Sequence, residues 1–332
     1  MADDTTWFSL AIPLVGILVC GVTELAQYIV RIQNAFLRWT PLLAAVLCFQ
    51  TNHGVEFRQG DKVALLGNTF IEREQKYGYI ETALMLANPG KNLTFRNLGW
   101  SGETVFGHSR SYFGPPSEGF GRLQKLVAQE KPTLILLYFG ANASYEGKDG
   151  LENFLEGYGR LVKMLQDASG ARLAILSPIP QEKLPPPLPS PDRHNADLAL
   201  YTNALEGFAK KQNLPFVDFY KALGGGKTTN LAGSPSPLTD NGLHLTKEGY
   251  RHAASTILDA LGQKPAKPGK NFEKLRSTIV AKNELFFHMH RPQNETYLFG
   301  FRKHEQGNNA AEIPKFLPLI QAKESEIHKL SK

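Results

Sequence analysis

The feature that most constrains the fold is a series of short apolar runs separated by stretches with helical periodicity. Residues 133–139 form an unbroken apolar run, typical of a strand buried on both faces of a sheet. The pattern predicts further strands at residues 62–66, 93–98, 173–176 and 215–219. It predicts helices at residues 70–87, 151–168, 198–211 and 246–261. This alternation indicates a three-layer α/β/α domain at residues 56–263, with a parallel sheet of about five strands.

The first 55 residues have a different composition from this domain. They contain two apolar runs, residues 8–22 and 39–49, and each is shorter than the roughly 20 apolar residues of a membrane span. The second run follows Arg31 and Arg38 and precedes a polar stretch, which is the layout of a signal peptide. Two explanations stay open: translation starts near residue 33, with residues 1–32 an upstream extension, or the segment is a retained N-terminal anchor. We predict export to the periplasm or the outside, with membrane contact only through this segment.

Residues 264–332 form a C-terminal extension that begins at a Pro- and Gly-containing hinge, residues 265–269. Residues 271–287 and 319–330 have helical patterns, whereas residues 288–309 are polar, aromatic and irregular. Such a segment can fold over a cleft and line a substrate pocket. On this hypothesis Arg291, Asn294 and Tyr297 are substrate contacts. The alternative is a surface wrap held by aromatic packing.

The composition excludes several classes of function. The formal charge of +6 comes from basic residues interspersed with acidic ones, as in Arg73-Glu74-Gln75-Lys76, so we predict no nucleic-acid partner. Both cysteines, Cys20 and Cys48, precede the predicted domain, which leaves it without a disulfide or a thiol nucleophile. The histidines of the extension lack a compact ligand spacing, so we assign no metal. A flavodoxin-like cofactor domain is disfavoured because the loop after the first strand has no glycine-rich phosphate motif. We predict no cofactor.

Four short segments carry residues suited to nucleophilic catalysis. Thr69 follows the first strand, Gly102 lies in the loop after the second, and Asn142 follows the strand at residues 133–139. His244 precedes the last helix of the domain. Ligands of parallel sheets bind beyond the carboxyl ends of the strands, so these segments are expected to meet there. A hydroxyl, two N–H donors and an imidazole are the groups that acyl transfer requires.

In order and spacing the four segments resemble those of the SGNH (GDSL-type) hydrolases, over about residues 62–262. The resemblance implies a flavodoxin-like sheet, a bacterial exported protein, and ester hydrolysis through an acyl-enzyme. By position it makes Thr69 the nucleophile and His244 the base that takes its proton. The Gly102 N–H and the Asn142 side chain then hold the oxyanion, together with the nucleophile's own N–H. Asn68 and Trp100 are expected to contact substrate.

The sequence departs from the family pattern at four positions. The family has serine where this chain has Thr69, whose extra methyl group restricts the side chain. It has aspartate where this chain has Asn68, often aspartate at Ala143, and usually aspartate at Asn241, three residues before the histidine. Losing that carboxylate costs triad enzymes about 10⁴-fold in turnover. Asp240, one residue earlier, is the carboxylate that could orient the imidazole instead.

Each site residue also has a structural interpretation. Thr69 and Glu72 have the spacing of a helix capping box, Gly102 could serve only a turn, and Asn142 could close a loop. Two functions therefore stay open. The first is an exported esterase whose substrate is a small acyl ester or an acylated carbohydrate. The second is a catalytically impaired relative that binds carbohydrate on a hydrolase scaffold.

Overall fold

A five-stranded parallel sheet organises the chain, and the computed structural model describes residues 54–227 and 230–332. The strand order is β2-β1-β3-β4-β5, so the chain starts near the middle of the sheet and builds outward in both directions. The strands are β1 (Lys62–Gly67), β2 (Thr94–Asn97), β3 (Leu134–Tyr138), β4 (Arg172–Leu176) and β5 (Phe216–Val217). Order and direction confirm the predicted parallel sheet of five strands.

Helices cover both faces of the sheet and continue beyond it into the C-terminal extension. The sheet domain contains α1 (Thr69–Tyr77), α2 (Tyr79–Ala87), α3 (Pro116–Glu130), α4 (Leu151–Ser169), α5 (Asp192–Gln212), α6 (Phe219–Ala222) and α7 (Lys247–Ala260). The extension contains α8 (Phe272–His290), α9 (Glu295–Leu298), α10 (Lys303–Gln306) and α11 (Phe316–Leu330). Short 3₁₀ segments occur at His108–Arg110, Ala143–Glu146, Leu231–Gly233 and Gly307–Lys315.

The alternation of side chains along β1 divides the interior into two cores. Val63 and Leu65 belong to the core that includes residues of α1, α2 and α7. Ala64 and Leu66 belong to the core that includes residues of α3, α4 and α5. Because successive side chains of a strand point to opposite faces, an uninterrupted apolar run is buried on both sides. The predicted three-layer α/β/α architecture is confirmed.

Two helices differ from the sequence prediction. The helix expected at residues 70–87 is broken into α1 and α2 at Gly78, which has a φ of +67° and whose N–H donates to Glu74 O at 2.7 Å. A glycine in the left-handed region at this position is a common helix terminator. Helix α3 was not predicted. Only three of its residues are buried, Gly119, Leu123 and Val127, so its apolar stripe is narrow. Two prolines, Pro115 and Pro116, stand at its start and resemble a loop in the sequence.

The extension packs directly on the sheet domain. In α8, Leu275 and Ile279 join the core of α1 and α2, whereas Phe286 joins the core on the other face. A buried ion pair reinforces this contact, because Lys282 Nζ lies 2.8 Å from Glu81 Oε1 and both side chains are almost fully buried. The expectation that residues 288–309 are irregular is only partly right, since α9, α10 and 3₁₀ turns lie within them.

The predicted signal peptide or anchor lies almost entirely outside the described residues. Of its 55 residues only Gly54 and Val55 are described, and the Val55 N–H donates to Leu261 O at 2.9 Å. The ordered domain therefore begins before residue 56. Among the helices of residues 54–227 and 230–332, none is both long and apolar enough to cross a bilayer. Export stays a prediction.

The buried ion pair of the extension gives a prediction about stability. We expect Lys282→Ala to lower the free energy of unfolding by about 3–5 kcal/mol, because it leaves the Glu81 carboxylate buried without its cation. Lys274→Ala is the control on the same helix, since Lys274 is 65% exposed and lies 3.9 Å from its partner Glu326. Its cost should stay within about 1 kcal/mol. Urea unfolding followed by circular dichroism measures both, and equal losses would contradict the prediction.

Candidate active site

The four segments predicted from the sequence meet at the carboxyl edge of the sheet. Thr69 follows β1, Asn142 follows β3, and His244 lies in the loop that precedes α7. All three side chains line one cavity of about 80 Å³. The Gly102 N–H, from the loop after β2, donates a 3.3 Å hydrogen bond to Thr69 Oγ1. The structure therefore brings together the four residues that the sequence singled out.

Helix α1 begins directly after β1 and presents Thr69 in its first turn. The N-cap residue is Asn68, whose Oδ1 accepts from the Phe70 N–H at 3.4 Å. The capping box of Thr69 with Glu72 is therefore wrong, and the Glu72 carboxylate accepts from the Ser101 N–H at 2.6 Å instead. The Thr69 hydroxyl has no capping role and lies at the positive end of the helix dipole. Asn68, predicted to contact substrate, also lines the cavity.

The loop after β2 packs closely on the first turn of α1. A Cβ atom on Gly99 would lie 2.3 Å from Glu72 N, so only glycine fits there. Asn97 Nδ2 donates to Ile71 O at 2.6 Å, and its Oδ1 accepts from the Gly99 N–H at 2.9 Å. Gly102 has a φ of +73°, which also favours glycine. This packing places the Gly102 N–H at the hydroxyl.

A buried ion pair supports the oxyanion side of the cavity. Glu103 Oε2 lies 2.7 Å from Arg110 Nε, and both side chains are at most 2% exposed. Glu103 Oε1 accepts from the N–H groups of Thr104 at 2.9 Å and Ser109 at 3.2 Å. Asn142 Nδ2 donates to Glu103 O at 3.3 Å, which fixes the amide beside the loop. Burial lowers the pKa of Arg110 to about 10, against the opposing effect of Glu103.

Two guanidinium groups lie against the indole of Trp100. The Cζ atoms of Arg291 and Arg110 lie 3.5 Å and 4.9 Å from its ring centroid. Arg291 Nη1 also donates to Glu72 Oε1 at 2.6 Å. Trp100 and Arg291 were both predicted to contact substrate. Neither lines the cavity at Thr69, and each is engaged in holding the loop after β2 to α1, so their contact with substrate stays a prediction.

The other two predicted contacts of the extension are also placed elsewhere. Asn294 Nδ2 donates to Gln306 Oε1 at 3.1 Å, and the Tyr297 hydroxyl accepts from Arg302. Neither side chain lines the cavity at Thr69. Both lie in short helical turns of the extension, and their contacts are with other residues of the extension. The sequence showed that this segment is ordered but not which surface it faces.

The imidazole of His244 is hydrogen-bonded to an amide rather than a carboxylate. Asn241 Oδ1 accepts from the N–H groups of Leu243 at 3.0 Å and His244 at 2.9 Å. Asn241 Nδ2 therefore faces His244 Nδ1, at 3.1 Å. An amide nitrogen can only donate, so Nδ1 carries the lone pair and the neutral ring has its proton on Nε2. A general base needs the opposite tautomer.

Asp240 does not orient the imidazole. Its Oδ2 lies 2.8 Å from Arg73 Nη2, so the carboxylate is directed to α1. In this arrangement Asp240 does not take the place of the family's aspartate at position 241, as the sequence had suggested it could. Burial lowers the pKa of His244, the Arg73 cation lowers it further, and Asp240 opposes them. Within the described residues no hydrogen bond joins Thr69 to His244.

Glu182 is a functional residue that the sequence did not reveal. Its carboxylate is 2% exposed and accepts from the N–H groups of Leu231, Leu238 and Thr239 at 2.8 to 3.0 Å. Its own N–H donates to Gly242 O at 2.8 Å. Glu182 thus fixes the loop that carries Asn241 and His244. Its position shortly after β4 was the available signal.

Tyr145 and His194 form a second wall of the cavity that was not predicted. Their rings are stacked with centroids 3.7 Å apart. His194 Nε2 lies 2.9 Å from Ser144 Oγ, which itself donates to Ala141 O at 2.9 Å, so the imidazole is the donor. Burial lowers the pKa of His194. Ser144 is fully buried, which excludes it as a nucleophile.

The arrangement supplies the groups for acyl transfer from the protein alone. A hydroxyl, N–H donors and an imidazole lie around one cavity of about 80 Å³. Among the residues that the structure describes, no group of three His, Cys, Asp or Glu side chains is placed to hold a metal ion. No cofactor-binding motif accompanies the cavity in this part of the chain.

Comparisons with known proteins agree with this geometry. A sequence model of the GDSL-like lipase/acylhydrolase family matches residues 71–252, which is more than half of the chain. The match contains Gly102, Asn142 and His244 and ends within α7. Thr69 lies two residues before it, and α8 to α11 lie beyond it. No curated protein shows a significant match.

Solved structures with a similar fold have low sequence identity. A gut microbial diltiazem-metabolizing enzyme is 16% identical to this chain, with a TM-score of 0.49. The alignment covers 62% of this chain and 48% of that enzyme, so this chain spans about half of the enzyme's length. A catalytic mutant of an acetylxylan esterase from Geobacillus stearothermophilus is 16% identical, with a TM-score of 0.48. The alignment covers 65% of this chain and 100% of the esterase. A GDSL-like lipase from Bacteroides thetaiotaomicron is 21% identical, with a TM-score of 0.42. The alignment covers 68% of this chain and 97% of the lipase.

The contact between Arg73 and the His244 loop predicts a shift in titration. Arg73→Gln removes a cation that disfavours the imidazolium and frees the nearby Asp240 carboxylate, so the pKa of His244 should rise. The acid limb of any activity that needs neutral His244 should then move to higher pH. A proton NMR titration of the ring measures the pKa. Arg251→Gln, on the exposed side of α7, is the control and should leave it unchanged. An unchanged pKa in Arg73→Gln would contradict the assignment.

Proposed function

The chain belongs to the GDSL-like lipase/acylhydrolase family and is an ester-hydrolysing enzyme, and we propose that it removes small acyl groups from a carbohydrate through an acyl-enzyme on Thr69. The observation that carries the proposal is the hydrogen bond from the Gly102 N–H to Thr69 Oγ1, at 3.3 Å. It places an oxyanion donor next to the hydroxyl on the cavity that Asn142 and His244 also line.

The proposed reaction has two halves. Thr69 Oγ1 attacks the ester carbonyl and passes its proton to His244, and the alcohol leaves with a proton returned by the imidazole. Water then attacks the acyl-threonine, and its second hydrogen restores the Thr69 hydroxyl. In both tetrahedral intermediates the negative oxygen accepts from the N–H groups of Thr69 and Gly102 and from Asn142 Nδ2. The acid product and the free alcohol account for all atoms of ester and water.

The size of the cavity supports a short acyl group. Its volume is about 80 Å³, several times the roughly 10–15 Å³ that one water molecule needs by the same measure. Phe70, Tyr138 and Leu198 give it apolar walls, and the rings of Phe70 and Tyr138 are stacked with centroids 4.5 Å apart. An acetyl group fits this space, and we expect turnover to fall as the acyl chain lengthens.

The carbohydrate and the export are supported by the sequence. The aromatic and amide-rich extension is typical of surfaces that bind polyhydroxylated ligands, which combine ring faces with a few polar groups. The cysteine-free domain and the signal-peptide layout of residues 39–54 support an exported protein. N-terminal sequencing of the mature protein tests the export, because a cleaved signal peptide leaves a start near residue 50.

Substitution of Thr69 tests the proposed nucleophile. Thr69→Ala should reduce the hydrolysis of nitrophenyl acetate by about 10³-fold or more, because no hydroxyl is left to form the acyl-enzyme. Thr69→Ser should keep or raise the rate, since it retains the hydroxyl and removes the methyl group that restricts it. Initial rates at equal concentrations of folded protein provide the measurement. Turnover that survives Thr69→Ala unchanged would show that another group attacks.

One observation favours a second function, in which glycan binding dominates over turnover. The Asn241 amide holds His244 in the tautomer that donates from Nε2, which opposes its use as a base. The amide also lacks the charge that stabilises an imidazolium. In that case the same cavity would hold an acylated sugar and release it largely unchanged.

Restoring a carboxylate distinguishes the two functions. Asn241→Asp should raise kcat for nitrophenyl acetate by at least about tenfold, because the carboxylate accepts from Nδ1–H and sets the tautomer that a base needs. Asp240→Asn is the matched control at the neighbouring position. It should not produce this gain, since Asp240 faces Arg73. No gain in Asn241→Asp, together with tight sugar binding by the unsubstituted protein, would support the binding function.

A further inference from the structure

We propose that a groove between α1 and the extension binds the sugar chain of the substrate and thereby selects the leaving-group alcohol. The groove is a cavity of about 660 Å³. It is lined by ten residues: Glu72, Arg73, Gln75, Lys76, Ser101, Val280, Glu284, Phe287, His288 and Gln293. This inference rests on the proposed function, because it takes the alcohol of the ester to be a carbohydrate.

The groove lies beside the proposed nucleophile. Thr69, Glu72 and Arg73 are at positions i, i+3 and i+4 of α1, which places them on the same face of the helix, about 5–6 Å apart at their Cβ atoms. Ser101, on the groove wall, directly precedes Gly102, whose N–H contacts Thr69 Oγ1. The groove wall at Glu72 and Arg73 therefore lies within about one helical turn of the reacting hydroxyl.

The lining offers unused hydrogen-bonding groups. The side chains of Lys76, Glu284, His288 and Gln293 form no hydrogen bond or ion pair with any residue that the structure describes. They supply an ammonium, a carboxylate, an imidazole and an amide around the ring of Phe287. Because both signs of charge are present, the groove does not select an anion or a cation. A neutral ligand with many hydroxyl groups matches donors and acceptors of this kind.

Gln75 is the residue that points most directly to a ligand. Its side chain is 8% exposed, yet its amide has no hydrogen-bond partner among the described residues, and it lines the groove. Gln75 is not among the residues whose polar side-chain atoms are fully buried without a partner, so its amide is reached from the groove although the rest of the residue is buried. Water hydrogen-bonds to this amide in the free protein, and a ligand in the groove takes its place. The hydroxyl groups of a sugar can both donate to and accept from it.

The groove is preformed because the extension is fixed to the domain. On α8, Lys282 donates to Glu81 Oε1 at 2.8 Å and Asn283 Nδ2 to Glu81 Oε2 at 3.1 Å, all within the buried interface. At the end of the same helix Arg291 donates to Glu72 Oε1 at 2.6 Å. A ligand therefore meets a rigid surface and does not have to order it, which favours affinity. The residues from α8 lie beyond the part of the chain that matches the family.

The experiment measures binding and turnover with the same probes, partially O-acetylated xylo- and cello-oligosaccharides of four to six units. In the full-length Thr69→Ala protein, titration calorimetry measures binding without hydrolysis. Adding Gln75→Leu should weaken binding about tenfold, because the amide contacts are lost. In the catalytically intact protein, the same change should lower kcat/KM for the oligosaccharide about tenfold relative to kcat/KM for nitrophenyl acetate. Gln124→Leu, an exposed position of α3, is the matched control and should change neither quantity.

The outcomes separate this inference from the proposed function. Equal binding by the Gln75→Leu and Gln124→Leu proteins, or no binding of any probe at millimolar concentration, would overturn the groove assignment. Gln75-dependent binding without hydrolysis of either ester would support the groove and count against the acyl-enzyme. If Gln75→Leu fails to fold, Phe287→Ala replaces it: weaker oligosaccharide binding by Phe287→Ala than by Gln124→Leu would then support the groove, and equal binding would overturn it.

Discussion

The candidate site depends on how closely the loop after β2 approaches the first turn of α1. No side chain fits between Gly99 and the backbone of Glu72, where a Cβ atom would lie 2.3 Å from a nitrogen. Two side-chain hydrogen bonds secure the approach, Asn97 to Ile71 O and the Ser101 N–H to Glu72. The position of the Gly102 N–H beside Thr69 follows from that contact. The catalytic geometry is therefore a result of backbone packing and is set before any substrate arrives.

The sequence predicted the sheet because its strands are nearly continuous apolar runs, and it located Thr69, Gly102, Asn142 and His244 because residues after parallel strands share one edge. It did not predict the break at Gly78 or helix α3, where the local pattern is weak. It did not predict that Arg291, Asn294 and Tyr297 lie outside the cavity at Thr69, because which surface an extension covers depends on long-range packing. Glu182 was not recognised, since its position after β4 is a weak signal and its role is defined by hydrogen bonds from residues about 50 positions away.

The two sides of the cavity differ in how completely they are built. On the side of Gly102, the ion pair of Glu103 and Arg110 is buried, and the half-buried amide of Asn142 donates to the Glu103 backbone carbonyl. On the imidazole side, Glu182 holds the loop firmly, but Asn241 gives His244 a neutral partner. Rigidity is therefore present on both sides, and the difference lies in one functional group: an amide occupies a place where a carboxylate would set the tautomer and share the charge.

The surroundings of Trp100 also determine the electric field at the site. Two cations, Arg110 and Arg291, flank its ring, but each is paired with its own carboxylate, Glu103 and Glu72. The group of four side chains sums to zero charge. In the proposed reaction, an oxyanion next to this loop is therefore stabilised by oriented peptide dipoles rather than by a net positive charge.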